Sequence, residues 1–392
     1  MVIRSSDIRK FFLLGFLVIC IIFPGDPYGI KLMFLALLFV SGTNVLLSQR
    51  SIQKYRYLYI MGLVFPLVVA LSSMIVGGRV NSSISGAYPA VIILAAVIVL
   101  ECKIDYEAMM FRLLQIVAIM TLAIVLLDAA GFTNVNGDNL IRNVFYALDM
   151  GVMGKSQRYA LYYKVFFKSS PLLIMLIPYC FQKGKKIMAA LTLAALVLSG
   201  TRANIFIASV VYVFGFVDIW SNNKKNNKTR LVLGVFIVIF IIAMIPNIIA
   251  MISAIMNKSG SLSSDLIRLG QIASFREVFS NPSTLFFGMG FGTSFYDAGR
   301  MAYTTASEIA YLDLLRKIGL IWFVPFMVFV LRPLRWRMEV HTKIAYIGYL
   351  LICFTNPLLF SSTAYVLYIY LYTTYGYGAH RITTKQELKY AA

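Results

Sequence analysis

The chain is 392 residues long and 60% hydrophobic, with a mean hydropathy of +0.79 and only 13% charged residues. A soluble domain of this size could not solvate such a surface, so soluble enzymes and nucleic-acid modules are excluded and a polytopic membrane protein is implied. The net charge of +20 then reflects the lysine and arginine excess that fixes cytoplasmic loops.

Apolar runs able to cross a bilayer, or nearly so, fall at 11–23, 30–47, 57–76, 86–100, 113–130, 165–181, 187–199, 203–219, 231–254, 309–331, 344–360 and 363–378. They predict an all-α bundle of about twelve transmembrane helices, one domain over 1–392. The start, MVIRSSDIRK, lacks a small-residue cleavage site and is read as leading into an anchored helix. Basic residues cluster between alternate runs: Arg4, Arg9 and Lys10; Arg50, Lys54 and Arg56; Lys103 and Arg112; Lys183, Lys185 and Lys186; Lys224, Lys225, Lys228 and Arg230; Arg332, Arg335, Arg337 and Lys343; Arg381, Lys385 and Lys389. The short connections on the other side offer only Arg79 and Arg202, so both termini are expected in the cytoplasm. Cys20, Cys102, Cys180 and Cys353 form no CxxC pair and suggest neither a disulfide framework nor a metal site.

Two outer segments, 131–164 and 255–308, are too long for turns, and long loops among short ones are usually functional. The first alternates apolar and basic residues at helical spacing, which predicts a part-helical interfacial segment. Together with adjoining helix ends they hold Arg142, Lys155, Arg158, Lys164, Lys168, Lys258, Arg268, Arg276 and Arg300. Lys164, Lys168 and Lys258 fit snorkelling to lipid phosphates. Arg268 and Arg276 fit an anion site, because guanidinium groups bind phosphate oxygens bidentately. Arg142 and Arg158 suit either a site or a solvated surface, and Arg300 joins the candidates. Arg202, in a hairpin of a few residues between two runs, opposes the topology signal and is therefore a candidate in its own right. Gly288, Gly290 and Gly292 are no dinucleotide fingerprint; they predict a tight re-entrant turn whose amides could form an anion nest.

Glu308 is expected to open a helix continuing through Asp313, Arg316 and Lys317 to Arg332. Asp313 and Lys317 are placed for an i,i+4 ion pair, whereas Glu308 has no partner in the local sequence. It is a candidate general base or a carboxylate stabilising the helix dipole. His341 and His380 fall on the cytoplasmic side, and no outer DxD, HExxH or GxSxG occurs, so neither metal nor cofactor is expected.

The twelve-run plan, LSGTRA at 198–203, the R…P…GxGxG series from Arg268 through Pro282 to Gly292, and ExxYLxxLxxxG from Glu308 to Gly319 together resemble the bacterial O-antigen polymerase and ligase superfamily. The resemblance implies a GT-C-like membrane glycosyltransferase of the inner membrane acting at its periplasmic face. It would transfer a growing glycan from undecaprenyl diphosphate onto another lipid-linked repeat unit, alongside a flippase and a chain-length regulator. Arg202 and Arg268 match arginines taken in that family to engage the carrier diphosphate. The ligase branch typically has a histidine where Ser307 and Glu308 stand here, which favours the polymerase. A ligase acting on lipid A–core and a flippase for lipid-linked oligosaccharide are the alternatives.

Overall fold

A computed structural model describes residues 5–26, 28–129, 134–135, 138–155, 163–222 and 264–378. The helices used below are α1 (Ser5–Ile22), α2 (Ile30–Ser41), α3 (Arg56–Ile75), α4 (Val80–Glu101), α5 (Tyr106–Ala129), α6 (Leu140–Ala147), α7 (Ser170–Gln182), α8 (Lys186–Leu198), α9 (Arg202–Asn222), α10 (Ser264–Val278), α11 (Pro282–Phe287), α12 (Ala310–Leu331), α13 (Val340–Cys353) and α14 (Ser362–Leu371). Among the described residues four helical stretches are long and apolar enough to cross a membrane: α3, α4, Tyr106–Leu127 in α5, and Ala310–Arg335, which extends α12. The chain is thus mostly helical and of membrane type. The run at 231–254 lies outside the described residues.

Among the described residues the all-α expectation needs one amendment, three two-stranded antiparallel hairpins: β1 (Asn134–Val135) with β2 (Asp138–Asn139), β3 (Gly151–Lys155) with β4 (Tyr163–Phe167), and β5 (Phe295–Asp297) with β6 (Ala302–Thr304). β4 occupies the start of the apolar run at 165–181, which is therefore strand before it is helix. A continuous run of apolar and aromatic residues suits either state, and pairing with β3 decides it. In the 131–164 segment α6 supplies the expected helix, with Phe145 buried and Leu140 and Val144 exposed. Lys168 forms an ion pair with Asp149.

Helix α14 lies at the centre, with every residue buried, and α7 is buried from Leu173 to Phe181. Both are apolar all round, as helices walled in by neighbours must be. The tyrosines of the last run pack inward: the Tyr368 hydroxyl donates to the Leu359 carbonyl (3.0 Å) and that of Tyr372 to the Phe329 carbonyl (2.9 Å). Outer helices keep one apolar face exposed, as at Leu63, Leu67 and Leu71 on α3 and Val324 and Val328 on α12. With their backbone groups paired internally, such faces suit hydrocarbon.

Prolines shape the long helices. A π turn at Ile60–Val64 precedes Pro66 in α3, and a 3-10 stretch at Tyr88–Leu94 contains Pro89 in α4. Each widens or tightens the ladder where a missing N–H and a ring clash would otherwise break it. At the other end of α12 the Arg332 guanidinium lies over the Tyr57 ring, 4.2 Å from its centroid, and Glu101 accepts from Lys54 (2.8 Å) and Tyr55 (2.6 Å).

Candidate functional site

Residues 264–309 build a cap over the start of α12. Asn281 caps α11, its side chain accepting from the Ser283 N–H (3.0 Å), and Pro282 supplies the preset first helical residue. The chain then turns through the glycines into the β5–β6 hairpin, whose tip is fixed by Asp297. One carboxylate oxygen of Asp297 accepts from the N–H groups of Gly299 (2.9 Å) and Arg300 (3.1 Å). Its other oxygen accepts from the side-chain amide of Gln271 on α10 (2.8 Å).

Gln271 in turn accepts from the Ser307 hydroxyl (2.9 Å), so a single buried amide ties the helix, the hairpin and the segment leading to α12. Amides suit such a position because they donate and accept at once, leaving no buried polar atom unmatched. The hairpin can lie on α10 because two glycines cross there. A Cβ on Gly270 would collide with the Gly299 backbone, and one on Gly299 with the Ile267 carbonyl. Phe275, Phe295 and Ile309 fill the space below as a small separate core.

This arrangement delivers two arginines to one carboxylate. Arg268 precedes Gly270 on α10 and Arg300 follows Gly299 on the hairpin. Arg300 Nη2 donates to Glu308 Oε1 at 3.1 Å, and Arg268 Nε stands 3.6 Å from Glu308 Oε2. The Arg268 and Glu308 side chains are one-third exposed and that of Arg300 41% exposed, so the cluster is open on one side. Arg300 also reaches the fully buried Asp297, at 3.8 Å. Glu308, without a partner in the local sequence, therefore has two in space.

The expected helix from Glu308 to Arg332 keeps its far end and is corrected at its start and in its middle. It starts at Ala310, and it breaks at Gly319, whose φ of 69° and ψ of 167° are not helical. The break leaves carbonyls of the first segment without helical donors. The glycine turn supplies them: the Met289 N–H donates to the Arg316 carbonyl (2.7 Å) and the Gly290 N–H to that of Lys317 (3.0 Å). The Phe291 N–H donates to the Ser73 hydroxyl on α3 (2.7 Å). These amides therefore face protein acceptors rather than forming the anion nest expected from the glycine spacing. Each glycine admits a different neighbour: Gly288 the Lys317 carbonyl, Gly290 the backbone of Ser73 and Gly78, Gly292 the side chain of Ser82.

Arg316, unremarked in the sequence beyond its place on the helix, is as enclosed as Asp297, with no exposed side-chain surface. It forks onto Asp313 Oδ1 (2.8 and 3.2 Å) and donates to the carbonyls of Thr293 (3.1 Å) and Thr305 (3.0 Å), with Phe295 stacked 4.4 Å away. Lys317 takes the other Asp313 oxygen at 2.6 Å, so the expected i,i+4 pair is present within a larger network. Asp313 and Lys317 also line a cavity of about 220 Å³, otherwise walled mainly by apolar residues including Pro89, Phe291, Leu314 and Phe360.

The remaining candidates lie elsewhere. Arg276 is exposed on α10, ~12 Å along the axis from Arg268 at ~1.5 Å per residue. Arg142 is exposed on α6, its guanidinium 5.6 Å from the Tyr146 ring centroid. Arg202 opens α9 after the short turn at Ser199–Thr201, where buried Asn204 donates to Ser199 (3.2 Å). The side chain of Arg202 and all of Arg158 lie outside the described residues. Gly270, Gln271, Gly299 and Arg316 were not singled out as site residues from sequence; a polar amide and glycines inside an otherwise helical pattern were the only signal. Among the described residues no group of His, Cys, Asp and Glu could hold a metal ion. No family model, curated protein or solved structure matches the chain.

Proposed function

We propose that the chain is a glycosyltransferase of the bacterial inner membrane that polymerises undecaprenyl-diphosphate-linked oligosaccharide repeat units at the periplasmic face. About twelve spans, cytoplasmic termini and periplasmic loops at 131–164 and 255–308 belong to the same reading, as do flippase and chain-length-regulator partners. The observation that carries it is Glu308 held between Arg268 and Arg300.

The chemistry uses both charges. A diphosphate carries more negative charge than one carboxylate and competes for the two guanidiniums, leaving Glu308 oxygens for the acceptor. The acceptor hydroxyl oxygen attacks the anomeric carbon as its proton passes to Glu308. The bond from that carbon to the diphosphate breaks, its electron pair stays on the phosphate oxygen, and the anomeric centre inverts. Arginines at the leaving group offset the charge that develops there. Arg202 is the further arginine of the donor site in this reading, and Arg276, Arg142 and Arg158 are the flanking substrate contacts.

Gene deletion tests the reaction class. A polymerase deletion leaves surface lipopolysaccharide capped with single repeat units, the predicted result. Absence of attached repeats would instead indicate a ligase, and repeats trapped inside the cell a flippase.

A further inference from the structure

Helix α10 has its polarity reversed. The face it turns to the protein carries Gln271 and Ser274 beside Phe275, while the face it turns away carries Leu266, Leu269 and Ile272, exposed by 56%, 62% and 49%. These three recur every third residue and so form one stripe, which Arg276 and Glu277 close at its C-terminal end. A water-facing helix is built the other way round, since burying such side chains is favourable and exposing them is not.

The position of the helix says what covers the stripe. Phe275, on its inner face, packs with Ile309 and with Leu312 in the first turn of α12, the upper end of a helix apolar enough to cross a bilayer. From Leu331 to Gly319 that helix rises ~18 Å, short of the ~30 Å hydrocarbon layer. Phe286 and Phe287, whose backbone abuts Gly319, are half-exposed at that depth, and Ile321 and Val324 just beyond the break are exposed as well. The exposed Tyr296–Tyr303 pair on the hairpin, ring centroids 5.6 Å apart, is of the kind that sits at bilayer interfaces. Three part-exposed aliphatic side chains fall well short of the ~800 Å² per partner of a stable dimer interface. The packing of their helix on the upper end of a membrane-type helix favours lipid.

We propose that the cap is seated in the outer leaflet: the Leu266–Leu269–Ile272 stripe lies among acyl chains just below the headgroups, Arg276 reaches lipid phosphate, and the hairpin tyrosines mark the interface. Arg268, Arg300 and Glu308 then open at headgroup height, where an anionic headgroup arrives from the side rather than from water. The seat is independent of the reaction assigned to the cluster.

Nitroxide labelling of the full chain in phosphatidylethanolamine–phosphatidylglycerol vesicles tests it, with Cys102, the one native cysteine not fully buried, changed to serine. A label at Leu269→Cys is expected to collide with oxygen several-fold more than with an aqueous nickel chelate, and one at Ser280→Cys to show the opposite preference. Equal chelate access at both positions would overturn the seat. So would a Leu269→Cys label shielded from both reagents whose spectrum sharpens on dilution with unlabelled protein, which would reveal a second copy on the stripe.

Discussion

Gly288 and Gly319 each occupy the space that a side chain on the other would need. A Cβ on Gly288 would lie 2.6 Å from the Lys317 carbonyl and 2.7 Å from the Gly319 nitrogen, and one on Gly319 would strike the backbone of Phe286 and Phe287. The glycine series and the last residue of the ExxYLxxLxxxG pattern are thus two halves of one contact, in which a turn caps a broken helix.

Gly319→Ala is predicted to destabilise the protein severely. The φ and ψ of residue 319 fall in a region essentially reserved for glycine, costing ~1–3 kcal/mol before any clash. Thermal unfolding in detergent should show a clear drop in midpoint. Gly184→Ala, also at positive φ but with open space around its Cβ, should lose only the backbone strain of ~1–2 kcal/mol. Equal shifts for the two would contradict the packing role.

Arg316 is predicted to be irreplaceable even by lysine. A lysine keeps the charge but not the fork that serves Asp313, Thr293 and Thr305 together. Removing one partner of a buried pair costs ~3–5 kcal/mol, so Arg316→Met should reduce the yield of monodisperse protein sharply. Arg276→Met, at an exposed position on the same cap, should leave it unchanged.

The mostly helical, apolar character of the chain, the tight turn before Arg202 and the Asp313–Lys317 pair were legible in the sequence, because hydropathy and i,i+4 spacing are local properties. The pairing of Arg268 with Glu308 was not, since it depends on Gly270 and Gly299 letting a hairpin lie on α10. Nor was the break at Gly319, as a single glycine in an apolar helix leaves no mark unless the element packed on it is known. The strand at Tyr163–Phe167 was hidden because its aromatic and aliphatic residues merge into the following helix.

Gln271→Glu is predicted to destabilise the cap more than Gln271→Ala. The change sets a carboxylate against the buried Asp297 where an amide donated, leaving two like charges face to face. Gln271→Ala removes the hydrogen bonds without adding the charge, so its drop in unfolding midpoint should be the smaller of the two. A larger drop for Gln271→Ala would contradict the arrangement.

The central claim, that Glu308 between two arginines is the reacting centre, is tested most directly by polymerisation of a purified lipid-linked repeat unit by reconstituted protein. Glu308→Gln should abolish the polymer ladder while folding normally, as loss of a general base costs ~10²–10⁴-fold in rate. Arg268→Ala and Arg300→Ala should each weaken it strongly, with Arg142→Ala much milder. A full-length ladder from Glu308→Gln, Arg268→Ala and Arg300→Ala alike would contradict the account.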